Sequence, residues 1–162
     1  MQTLHILLAE PDETQLLLLQ QGLRPFDLDC IVHQAPSEET AYQVLHHLET
    51  QGKMLAVAIA HSSPPRLSGI DLLASIYQRQ AFHKTRTLLL VTQPSTQELL
   101  RAINEAHVSH ILTCPISPQT LTDTLRVLLT EYIVFRGLDA HKYPSLLDQQ
   151  TLLACVRRKG LL

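Results

Sequence analysis

Apolar residues along this chain fall into two alternating rhythms. Short, near-continuous apolar runs occupy residues 3–9 (TLHILLA), 28–35 (LDCIVHQA), 54–60 (MLAVAIA), 87–92 (TLLLVT) and 109–113 (SHILT). Runs without polar alternation are expected of strands covered on both faces. Between them lie longer stretches whose apolar positions recur at helical spacing: residues 13–23, 38–52, a segment carrying Ile70, Leu73, Ala74 and Tyr77, residues 96–108 and residues 119–135. The alternation runs from Thr3 to about Arg136 and predicts an α/β fold of parallel strands joined by helical crossovers.

Helix punctuation agrees with this reading. Asp12, Ser37 and Ser95 each stand just ahead of a helical pattern, where a side-chain oxygen can accept from the free N–H groups of the first turn. Gly52 closes the second helix, and Pro118 sits in the first turn of the last crossover helix, where its missing N–H is tolerated. By period, Leu99, Ile103 and Ala106 face the core together with Leu121, Leu125 and Leu128.

Beyond Gly137 the alternation stops, which divides the chain into a domain at residues 1–136 and a helical extension at residues 137–162. Tyr143-Pro144 breaks the chain, and Ser145 with Asp148 resembles a capping box. Leu146, Leu147, Leu153, Ala154 and Val156 form the expected apolar face, and Arg157, Arg158 and Lys159 suit a helix C-terminus.

Composition narrows the function. The chain has 162 residues, 45% hydrophobic and 17% charged, as expected of a folded domain with a proper core. A net charge of -2 argues against a broad nucleic-acid surface. The longest apolar runs, such as Leu16 to Leu19, fall far short of the roughly 20 residues of a membrane span, so a cytoplasmic protein is expected. Cys30, Cys114 and Cys155 are widely spaced without a CxxC pair, so reduced thiols are expected rather than disulfides or a zinc ribbon.

Four segments, ILLAEPDE, AHSSPPRLSGIDLL, LLLVTQP and ILTCPISPQTL, together resemble the landmark segments of response-regulator receiver domains, over about Leu4 to Glu131. The resemblance implies a doubly wound, flavodoxin-like sheet of order 2-1-3-4-5, with its chemistry at the carboxyl ends of the strands. It also implies places for a functional set. The acidic pair that holds Mg²⁺ corresponds to Glu10 and Pro11, with Asp12 beside them, and the phosphate-accepting aspartate corresponds to His61, eight residues before Gly69. The hydroxyl ending the fourth strand is Thr92, while the lysine ending the fifth is replaced by Cys114. The aromatic position ahead of that lysine is Ile111. Pro65, Gly69 and Pro115 keep the scaffold, and Cys114-Pro115 is a candidate cis bond.

An imidazole cannot form an acyl phosphate, Pro11 offers no metal ligand, and Cys114 brings no cation to a phosphoryl group. The expectation is therefore a non-enzymatic pseudo-receiver with its Mg²⁺ site lost and no other cofactor, acting by protein contact independently of phosphorylation. Its partner would be a kinase, an output or regulatory protein, or a second copy in a homodimer. By analogy with the family, Gln97, Arg101, Glu105, His110 and Arg126 are the candidate contact residues.

Alternatives from other classes are a metal- or redox-sensing pocket built from Glu10, His61 and Cys114, and a phosphohistidine at His61. A further alternative, suggested by the apolar end Leu161-Leu162, is the regulatory head of a truncated transcription regulator. His46, His47, His83, His107 and His141 fall on expected helical or loop surfaces, and most of them read as solvated bystanders.

Overall fold

The computed structural model describes residues 2–160. Strands β1 (Leu4–Ala9), β2 (Cys30–Ala35), β3 (Met54–His61), β4 (Arg86–Val91) and β5 (His110–Thr113) form one wholly parallel sheet of order β2-β1-β3-β4-β5. Helices α1 (Glu13–Leu23) and α5 (Pro118–Arg136) cover one face. The other carries α2 (Glu38–Thr50), α3 (Gly69–Gln78) and α4 (Thr96–Asn104). The strand period of two sends Leu4, Ile6 and Leu8 into the core with Leu19, Leu23, Leu121 and Leu125, while Leu7 and Ala9 meet Leu45, Leu48 and Leu73. Every residue of β1 is buried, so the missing alternation in its sequence has its cause in the two helical layers.

The expected caps form. Asp12 accepts from the Gln15 N–H at 2.9 Å, and Ser37 from that of Thr40 at 3.2 Å. Ser95 and Glu98 complete a reciprocal capping box at the start of α4. Pro118 lies in the first turn of α5, capped by Ser117, and the Cys114-Pro115 bond is cis.

Helix α4 departs from its expected course in two ways. It stops at Asn104, four residues early, with Glu105 as its C-cap and His107 in a left-handed conformation at φ 49. Its inward residue is Ala102, joined just past the helix end by buried Ala106, whereas Ile103 is 55% exposed. The packed stripe is thus rotated from the Leu99–Ile103–Ala106 assignment, which identified Ala106 correctly and Ile103 wrongly.

The extension packs on the domain. α5 runs for 19 residues, about 28 Å, far beyond the roughly 13 Å of four-residue β5. Its distal apolar residues Leu129, Tyr132 and Ile133 are joined in the core by Tyr143 and fully buried Leu146. The Tyr143 hydroxyl donates to the Gln2 carbonyl at 2.7 Å, and Ser145 donates to Asp29 at 2.7 Å. Asp148, not Ser145, caps the last helix α6 (Gln149–Arg158), accepting from the Thr151 N–H at 2.9 Å. Ser145 is instead taken up in a 3-10 turn. The inward residue of α6 is Cys155, while Leu153 is 50% exposed and Ala154 also faces outward, a correction to the expected apolar face. Leu161 and Leu162 lie outside the described residues. Among the described residues no helix is long and apolar enough to cross a membrane.

Two contacts set constraints that mutation and pH can probe. Where α1 crosses α5, the Gly22 carbonyl accepts from the Thr122 hydroxyl at 2.7 Å, and a Cβ at position 22 would stand 2.9 Å from both Leu121 Cβ and the Pro118 carbonyl oxygen. Across β1 and β2, His5 Nδ1 and His33 Nε2 share a hydrogen bond of 2.9 Å. Burial above all, then the neighbouring imidazoles, holds both rings below their ordinary pKa of 6.5.

Gly22→Ala gains about 1 kcal/mol of helix propensity but forces an overpacked contact costing about 1–3 kcal/mol against backbone that cannot yield. The net expectation is a loss of up to about 2 kcal/mol, read as a lower urea midpoint at unchanged slope; a raised midpoint would refute the close-approach argument. For the histidine pair, the unfolded chain binds more protons than the folded one below the ordinary imidazole pKa. The pair's stability is accordingly complete above about pH 6.5 and lost as the pH falls below it. Thermal melts at pH 7.5 and pH 5 should show that loss, and a His5→Gln/His33→Gln variant should show less of it.

Candidate functional site

Parallel pairing lines up the carboxyl ends of four adjacent strands. Ala9 pairs with Ala60, so Glu10 leaves β1 beside His61, the last residue of β3. Val91 pairs with Thr113, so Thr92 and Cys114 follow side by side at the ends of β4 and β5. The four side chains therefore stand in one row along the edge where the chain doubles back from β2 to β3, the position at which doubly wound sheets place their sites.

Glu10 is 1% exposed, and a carboxylate so deep in the fold requires donors. It has two. Its Oε2 lies 2.5 Å from His61 Nδ1, and its Oε1 accepts from the Asp12 N–H at 3.0 Å. With a carboxylate that only accepts, the donor inventory places the proton on Nδ1. The other nitrogen, Nε2, stands 3.3 Å from Thr92 Oγ1. The imidazole is 12% exposed and bridges a buried acid to a hydroxyl at the pocket rim. Arg66, in the loop after β3, donates to the Pro11 carbonyl at 2.6 Å and ties this loop to the one after β1. Gly69 permits the tight turn into α3, since a Cβ there would lie 3.0 Å from the Ser62 backbone nitrogen.

The remaining expected pocket residues take defined places. Pro11 is buried without a side-chain donor, and Asp12 is exposed with its carboxylate engaged in capping α1. A hard divalent cation such as Mg²⁺ needs several oxygen ligands. Among the described residues Glu10 is the buried carboxylate of this pocket, and both its oxygens are already bonded, so the residues here are a poor match for that ion's need for several free oxygens. Cys114 is half-buried, and its thiol is pushed above the usual range first by burial and then by the charge of Glu10, with a hydrogen bond to Thr92 acting in the opposite sense. A reactive thiolate needs the reverse shift. Burial likewise pushes Cys30 up to about 12 and raises Cys155. Both ring nitrogens of His61 are engaged elsewhere, so the proposed Cys114–His61 pair is not formed. Among the described residues no three His, Cys, Asp or Glu side chains converge as metal ligands.

The expected partner face is assembled only in part. Gln97 and His110 are exposed on α4 and β5. Arg101 and Glu105 are exposed too but bonded to each other at 3.1 Å, with Arg101 also reaching Asp71 at 2.7 Å. Arg126 belongs elsewhere: its guanidinium donates to the Ser145 carbonyl and lies 5.2 Å over the Phe26 ring, holding the extension against the region after α1. His107 is exposed, as expected, and stacks on the exposed ring of Tyr77 at 4.3 Å. Arg66 was missed altogether, because an arginine in a proline-rich loop carries no sequence signal of where its guanidinium ends up.

No family model and no curated protein matches the chain. Solved structures do. The signal receiver domain of an HD domain-containing protein from Pseudomonas fluorescens Pf-5 is 30% identical at a TM-score of 0.70, over 85% of this chain and 94% of that one. A response regulator receiver domain protein from Methanospirillum hungatei JF-1 superimposes at 0.65 with 18% identity, over 80% and 96% of the two chains. The signal receiver domain of a histidine kinase from Syntrophus aciditrophicus reaches 0.63 at 16% identity, over 78% and 89%.

If the Glu10–His61 link satisfies the buried acid, His61→Ala should cost about 1–3 kcal/mol by leaving a buried oxygen without its donor. Adding Glu10→Gln to that variant should cost less than the same change in the parent. A double-mutant cycle in urea reads the coupling, and strict additivity would mean that the contact carries no energy.

Proposed function

The chain belongs to the response-regulator receiver family, and we propose that within it this protein is a pseudo-receiver, a non-catalytic module that signals through protein contacts without being phosphorylated. The observation that carries this reading is the engagement of His61 with Glu10 at 2.5 Å. The place of the acceptor carboxylate is taken by a ring that cannot form an acyl phosphate, and the one inward carboxylate is bound to that ring instead of being free for Mg²⁺. Thr92, the hydroxyl left at the end of β4, is held by the same imidazole at 3.3 Å. Residues that would respond to a phosphoryl group are thereby bonded to one another, and the conformation of the site is set by the chain itself and by its partners.

The partner is a signalling protein, such as a kinase, an output or a regulatory protein, or a second copy of the chain, met in the cytoplasm. Contact through α4 and β5 is favoured by the exposure of Leu100 and Ile103 next to Gln97 and His110. A net charge of -2 gives a nucleic acid no broad basic surface to bind.

Incubation with acetyl phosphate or phosphoramidate and Mg²⁺, followed by intact-mass measurement, should yield no phosphoryl adduct under conditions in which an ordinary receiver domain is modified. An adduct mapped to His61, Asp12 or Thr92 would overturn the proposal and make the protein an unconventional phospho-switch.

A further inference from the structure

At the opposite edge of the sheet, about 20 Å along β1 from Glu10, the chain encloses a cleft of about 270 Å³. Its lining includes Gln2, Thr3, His5, Gln51 and Lys53, drawn from the start of β1 and the turn between α2 and β3. Gly52 makes that turn with φ +64. Three of the last four α2 carbonyls are capped: His47 by the Gln51 N–H at 3.0 Å, Leu48 by that of Lys53 at 2.9 Å, and Glu49 by that of Gly52 at 3.2 Å.

Charge in this corner is one-sided. β1 contributes His5, β2 His33, α2 His47 and the turn Lys53, while Arg136 of α5 lines the adjoining cleft. The nearby carboxylate Glu49 is paired with Arg79 at 2.6 Å. No carboxylate is bonded to Lys53 among the described residues. The protonated form of His5 is opposed by burial and then by His33, Lys53 and His47, and no acidic group offsets them. With His5 and His33 favoured in their neutral form, Lys53 is the charge that this polar cleft carries, and no bonded carboxylate offsets it.

We propose that this cleft is a binding site for a small oxyanion, a carboxylate or a phosphate-type group carried by a small molecule, with Lys53 supplying the charge and Thr3, Gln2 and Gln51 the hydrogen-bond donors. The anion supplies the counter-charge that His5 lacks, so binding favours the imidazolium and takes up protons, and affinity rises as the pH falls. The site shares no residue with the Glu10–His61 pocket. It gives a receiver without phosphoryl chemistry a second place at which a signal can enter.

The test is a titration of the full chain with acetate and, separately, sulfate, followed by backbone and histidine-ring NMR at constant ionic strength. Neither probe changes charge between about pH 6 and pH 7.5. Saturable shifts centred on His5, Gly52 and Lys53, tighter at the lower pH, are expected for at least one of them, and which probe saturates separates a carboxylate site from a phosphate-type site. Lys53→Gln, a change at an exposed position, should weaken binding roughly tenfold, and His5→Gln should remove the pH dependence. The proposal is overturned by the absence of saturable shifts with both probes, by unchanged affinity in Lys53→Gln, or by affinity that does not rise at lower pH. None of these outcomes bears on whether the chain accepts a phosphoryl group.

Discussion

Parallel pairing of β1 with β3 sets Glu10 and His61 side by side at the carboxyl edge of the sheet, and a carboxylate buried there must be met by a donor. The imidazole meets it at 2.5 Å, and much of the local structure follows from that contact. The ring bridges to Thr92 and so joins the ends of β1, β3 and β4 through side chains as well as through the sheet. Arg66 adds a bond between the loops that follow β1 and β3. In a receiver the same edge is a site for an ion and a phosphoryl group; here the residues around it satisfy one another.

The pocket and the extension show different ways of completing a fold. A 19-residue α5 carries apolar side chains beyond the end of a four-residue β5, and these require cover. Residues 137–160 supply it, with Tyr143 and Leu146 entering the main core and polar links to Gln2, Asp29 and Thr130 fixing the path. The same arrangement draws Arg126 away from the face formed by α4 and β5, leaving that face more apolar and less basic than residue order along the chain implies. Polar chemistry is therefore found at both strand-end edges, one closed by an acid–imidazole bond and the other an open cleft lined by Gln2, Thr3, His5, Gln51 and Lys53.

Much of the fold is legible in the sequence because its causes are local or periodic. Strands covered on both faces must be apolar throughout, helices must present a stripe, and first turns need oxygen acceptors; the central strands β1, β3 and β4, and the caps at Asp12, Ser37 and Ser95, answer to those rules, while the edge strands β2 and β5 are partly exposed. The roll of pocket residues was equally legible, since strand order alone brings positions 10, 61, 92 and 114 to one edge. Misreadings fell where the deciding contact is remote in sequence. α4 turns Ala102 inward and leaves Ile103 exposed, an orientation that its own sequence period does not fix. Asp148 displaces Ser145 as a cap because Ser145 is claimed by Asp29.

What the sequence determined by itself is the receiver architecture and the presence of His61 at the end of β3, since both depend on residue type and order. What only the tertiary structure decided is how these residues are used: that His61 turns one nitrogen to Glu10 and the other to Thr92, that Cys114 is a half-buried thiol without an imidazole partner, and that His5, His33 and Lys53 share a corner in which no carboxylate is bonded to Lys53. Those outcomes depend on distances of a few ångströms between groups that are tens of residues apart. Hydrogen bonding and burial act across the folded chain, and no local pattern records them.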